Sequence, residues 1–110
     1  MKIKLLQNKL FIKNKFIYQT PGDINGFGLI PIGIIIIWNS SEIKSNSNLV
    51  LLDQDYELKW TIQSKKYPRD FCPIIDFEYS ESKIVVYRQC GIEETIDINT
   101  GKILKSELVK

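Results

Sequence analysis

Apolar and polar positions alternate along most of the chain with the two-residue period of strands that bury one face. The clearest stretch is Lys83 to Leu104, where an apolar run, Lys83 to Arg88, meets a turn at Gly91. A second run, Ile92 to Ile98, meets a turn at Asn99-Thr100-Gly101, and a third begins at Ile103. Glycine adopts positive φ without steric cost and Asn tolerates it next best, so these residues stand where tight hairpins need them. The pattern predicts a three-strand antiparallel meander.

The same reading extends upstream. Lys2 to Leu5 and Leu10 to Tyr18 read as two or three short strands, with lysines projecting outward. Thr20 to Gly28, with three glycines, reads as a turn-rich loop. Gly33-Ile-Ile-Ile-Ile-Trp38 lacks polar alternation, which predicts a central strand covered on both faces. Asn39 to Asn48 reads as a solvated loop. A hairpin follows, Leu49 to Asp53 and Glu57 to Ile62, with Leu58, Trp60 and Ile62 on one face. Gln63 to Pro73 is a long irregular connection, and Ile74 to Tyr79 alternates Ile75, Phe77 and Tyr79 against Asp76 and Glu78.

Composition agrees with this all-β reading. The 110 residues include no Ala, the best helix former, while Ile, Val, Tyr, Phe and Trp abound. The length suits one domain, residues 1–110. No His is present, which removes the usual general base and most zinc or iron sites. Cys72 and Cys90 are not spaced as a metal or redox pair and read as free buried thiols. With no continuous apolar leader core, the expected home is the cytoplasm. No cofactor is expected.

Candidate chemistry is sparse. The glycines of residues 20–28 lack the Gly-Lys-Ser/Thr ending of a phosphate loop. Asp53, Asp55 and Glu57 lack the Gly and distant Glu of a calcium hand. Asp76 with Glu81-Ser82-Lys83 is similar to the carboxylate constellation of metal-dependent nucleases, but the Glu and Lys flank a tight turn. Tyr67 and Phe71 near Lys65, Lys66 and Arg69 could suggest single-stranded nucleic acid, yet most aromatics fall on core-facing positions.

Charge is uneven although the formal net is +2. Lys2, Lys4, Lys9, Lys13 and Lys15 have no acid among them, whereas Asp53 to Asp97 holds ten acids against six bases. An acidic middle suits a basic protein partner, speeding encounter and excluding wrong ones.

Two resemblances bear on these patterns. Gly33 to Trp38 followed by Leu49 to Trp60 has the same order as Lys83 to Arg88 followed by Glu94 to Leu104. In each, an apolar strand precedes a strand ending near Asp, a polar turn and a further strand. This phrase, with Asp97-Ile-Asn-Thr-Gly-Lys-Ile-Leu104, resembles blades of quinoprotein-like β-propellers. That implies blade-like four-strand meanders forming a twisted sheet or sandwich; propellers close with about four to eight blades. In size, composition and lack of catalytic residues the chain also resembles immunity proteins of bacterial polymorphic toxin systems, including contact-dependent growth inhibition. The implied function is binding of a cognate toxin domain, such as a nuclease, without catalysis. The candidate contact residues are Asp70, Asp76, Glu78, Glu81, Glu93 and Asp97, with Tyr67 and Phe71 as anchors. The alternatives are an oligomeric propeller-like module and a small metal-dependent nuclease; no membrane or direct nucleic-acid partner is expected.

Overall fold

A computed structural model describes residues 2–109, and eleven strands in three antiparallel sheets make up the regular structure of those residues. The first sheet pairs β1 (Ile3–Leu6), β2 (Lys9–Ile12) and β3 (Lys15–Gln19). The second is a meander of β4 (Ile24–Ile30), β5 (Gly33–Trp38), β6 (Leu49–Leu52) and β7 (Leu58–Thr61). The third repeats that topology with β8 (Ile74–Ser80), β9 (Lys83–Arg88), β10 (Ile92–Ile96) and β11 (Ile103–Leu108). The two stretches that align in sequence thus fold as the last three strands of the same four-strand unit, β5–β7 and β9–β11.

The sheets are stacked face to face, and the second lies in the middle. Ile34, Ile36, Val50 and Leu52 point one way and pack on Leu10 and Ile12 of the first sheet. Ile35, Ile37, Leu49 and Leu51, with Trp60 and Ile62, point the other way and pack on Ile74, Ile84, Val86 and Ile96 of the third. A strand covered on both faces has no use for polar residues, which accounts for the unbroken isoleucines of β5. Each outer sheet keeps one covered and one open face.

Polar side chains pin the layers at their margins. Asn48 is buried; its amide donates to the carbonyls of Trp38 and Ile74, and its oxygen accepts from the Ile74 amide. Asn46 accepts from the Cys72 amide and donates to the Asp70 carbonyl. At the opposite margin the Trp60 indole donates to the Ile98 carbonyl, and Gln63 accepts from the Ile103 amide. The segment 39–48 is therefore not simply a solvated loop, because two of its asparagines satisfy backbone groups that would otherwise be buried unpaired.

Three further expectations change. Residues 24–28 are not loop but the start of β4, and Gly28 there serves packing: a Cβ on it would stand 2.5 Å from Phe77 Cζ of the third sheet. Register shifts at Leu51/Leu52 and at Ile74/Asp76 break strict alternation, so Leu58 and Ile75 are exposed at 49% and 61% while Trp60 and Ile74 are buried. Cys72 and Cys90 are not free thiols but form a disulfide across 18 positions, between the 63–73 connection and the β9–β10 turn. Spacing could not reveal this, because the fold brings the two segments together.

The β10–β11 turn follows the sequence reading. Gly101 sits at φ 78°, and any Cβ there would meet the Trp60 ring at 2.7 Å.

A candidate acidic interface on the third sheet

Register determines which acids share a surface. Because Ile84 and Val86 face the core, Val85 and Tyr87 face outward, and their partners on neighbouring strands do the same. One outward row runs Asp76, Tyr87, Glu93 and Glu107; the next runs Glu78, Val85, Thr95 and Lys105. Three predicted contact residues, Asp76, Glu78 and Glu93, are thus gathered from β8 and β10 onto one open sheet face. The sequence reading missed Glu107 and Tyr87, although the two-residue period of their strands carries the signal.

Tyr87 stands among the carboxylates. Desolvation raises its phenol above the ordinary tyrosine value, and the charges and hydrogen bonds of Glu78 and Glu93 push it the same way. Four carboxylates share this face with two cations, Lys83, which has the outward phase of Val85 and Tyr87 on β9, and Lys105, which pairs with Glu107 at 2.7 Å. That pair raises the Lys105 ammonium above its ordinary value, chiefly through its hydrogen bond and charge contact with Glu107. The face is a negative platform with an aromatic ring at its centre, suited to guanidinium and ammonium groups.

The other predicted residues lie elsewhere. Glu81 occupies the β8–β9 turn at φ 49°, beyond the end of the acidic rows. Asp97 belongs to the β10–β11 turn, where its carboxylate accepts from the Asn99 amide. Asp70 and Phe71 sit on the 63–73 connection beside the 39–48 segment, with the Lys44 ammonium 4.8 Å from the Phe71 ring centre. Asp76 and Glu81 are separated by five positions along β8 and its turn, about 16 Å in extended chain. Among the described residues no group of three or more Cys, Asp or Glu could hold a metal ion.

Tyr67 faces inward, over a polar cluster buried on the covered side of this sheet. Arg88 and Glu94 have wholly buried side chains and form an ion pair through Arg88 Nε and Glu94 Oε1. Glu94 Oε2 accepts from the Tyr67 hydroxyl at 2.8 Å and from Ser106 Oγ at 3.0 Å. Arg88 Nη1 donates to the carbonyls of Asn46 and Cys72, each at 2.8 Å, while Nη2 is buried without a partner. The Tyr67 ring covers the guanidinium at 4.4 Å. Burial, followed by the hydrogen bond to Glu94, drives the Tyr67 phenol far above its ordinary value, the nearby Arg88 charge opposing. This cluster fastens the 63–73 connection to the third sheet and exposes no reactive group.

No family model and no curated protein matches the chain. Among solved structures, the crystal structure of the computationally designed Ika8 protein matches with a TM-score of 0.66 over 94% of this chain, at 10% identity. The chain spans 31% of the length of that protein. At such identity the likeness concerns the fold alone, and it covers all but a small part of the stack of sheets described above.

Proposed function

We propose that the chain is an immunity-type binding protein, which neutralises a cognate bacterial toxin domain by covering its active site with the acidic face of the third sheet. The observation that carries this reading is the gathering of Asp76, Glu78, Glu93 and Glu107 around Tyr87 on one rigid, open face. A nuclease that grips polyanionic substrate needs a basic cleft, and a platform of carboxylates set at strand spacing competes for the same cations. Sheet-borne side chains keep their spacing, so little ordering cost opposes binding. The work asked of the protein is occlusion, which requires no chemistry of its own.

The Cys72–Cys90 bridge bears on location. Disulfides persist in oxidising compartments, so the cytoplasmic expectation stands only if this pair is held reduced in the cell. Among the described residues no helix is long and apolar enough to cross a membrane.

The test is to survey the genes flanking this one for a toxin-like domain and to co-express any such domain with this chain. A stable complex and restored host growth are expected, and Glu78→Lys with Glu93→Lys weakens the complex at least about tenfold, mostly through slower association at low salt. Failure to bind and failure to protect would end this reading.

A further inference from the structure

The two ends of the stack carry opposite charge. On the first sheet, Ile3, Leu5, Leu10 and Ile12 pack inward, so Lys4, Leu6, Lys9 and Phe11 project outward. Across the strands Lys4 lies in register with Phe11 and Phe16, and Leu6 with Lys9 and Gln19. The rings of Phe11 and Phe16 meet edge to face at 5.9 Å, and Phe16 and Leu6 remain 51% and 54% exposed. An antiparallel sheet can leave one face to water, but such a face is ordinarily polar. This one holds an apolar cluster rimmed by lysines.

From this we infer that a second copy of the chain covers the face: the basic, aromatic end of one molecule seats on the acidic end of the next, head to tail. The occupant is chosen by charge. The outward lysines of the first sheet would meet Asp76, Glu78, Glu93 and Glu107, with Phe11 and Phe16 against Val85 and Tyr87. Like ends repel, which disfavours a two-fold pairing of either face with itself. Within one molecule, sheets already stack face to face on both sides of the central sheet, so the contact repeats a geometry this sequence uses twice. A head-to-tail contact has no built-in end: it closes into a ring when the rotation per copy permits, and otherwise runs on as a fibre. Such assembly would cover the acidic face until a more basic partner displaced the neighbouring copy.

Sedimentation of the full chain over a range of concentrations and salt tests the contact. At low salt the wild-type mass is expected to rise with concentration beyond one chain. The association should weaken at least about tenfold between 0.05 and 0.5 M salt, where screening falls to a few ångströms. Lys4→Glu with Lys9→Glu, and separately Glu78→Lys with Glu93→Lys, should each stay single alone, whereas an equal mixture of the two variants regains association through its complementary faces. Circular dichroism checks that both variants remain folded. A wild type of single-chain mass throughout, or association that either variant retains, overturns the inference. The Lys4→Glu, Lys9→Glu variant also separates the two proposals, since it should lose self-association yet still protect a host from toxin.

Discussion

Glu94→Gln should be among the most damaging isosteric changes available to this protein. The substitution keeps shape and volume but removes the charge that answers Arg88, whose side chain is fully buried and whose Nη2 already lacks a partner. What remains for the guanidinium is the neutral amide oxygen of the new glutamine, two backbone carbonyls, those of Asn46 and Cys72, and the face of Tyr67, none of which carries a charge. Breaking a buried pair by neutralising one member typically costs about 3–5 kcal/mol, because the surviving charge stays desolvated. Against a typical total of about 5–15 kcal/mol for a domain, that is a large fraction. At about 4–8 °C per kcal/mol for a domain near this size, the midpoint of thermal unfolding should fall by about 12–40 °C. Urea unfolding followed by Trp38 and Trp60 fluorescence gives the free energy directly. The double variant Arg88→Met, Glu94→Leu removes both charges and should cost at least about 1.5 kcal/mol less than the sum of Arg88→Met and Glu94→Leu. A loss below about 1 kcal/mol for Glu94→Gln, or strict additivity in the double variant, would refute the view that this cluster fastens the 63–73 connection.

Reduction of the Cys72–Cys90 bridge, or Cys90→Ser, should lower stability by about 3 kcal/mol for a loop of this length, read as a lower melting temperature with reductant present. Asn48→Ala strands the amide of Ile74 together with two carbonyls between sheets and should cost about 1–3 kcal/mol in a urea titration. Gly28→Val should destabilise by a similar amount, because Phe77 occupies the space its side chain requires. In an alkaline titration followed by tyrosinate absorbance, Tyr18, Tyr67 and Tyr87 should ionise above the ordinary value of 10.0. Their folded values are raised, so the stability linked to them is complete below pH 10.0 and is lost as pH climbs through the folded values. Tyr67→Phe should delete the last of these ionisations, and an unchanged titration would contradict the buried hydrogen bond to Glu94.

What the sequence determined by itself was local: the strand period, the turns at Gly91 and Gly101, the two-faced burial of β5 and the repetition of one three-strand stretch. Each follows from side-chain alternation or from a backbone angle that few residues adopt, and neither requires knowledge of distant neighbours. The candidate face was half legible in the same way. Asp76, Glu78 and Glu93 share the outward phase of their strands, but only pairing of β9 with both β8 and β10 aligned them in adjacent rows around Tyr87. Tyr67 was misplaced as an exposed anchor because its role depends on Arg88 and Glu94, 21 and 27 positions away. Gly28 of β4, the bulges beside Leu58 and Ile75, the asparagine clamps and the disulfide were likewise decided by tertiary structure alone. In each case the residue answers to a group brought near by the stacking of sheets, and composition or spacing carries no record of that approach.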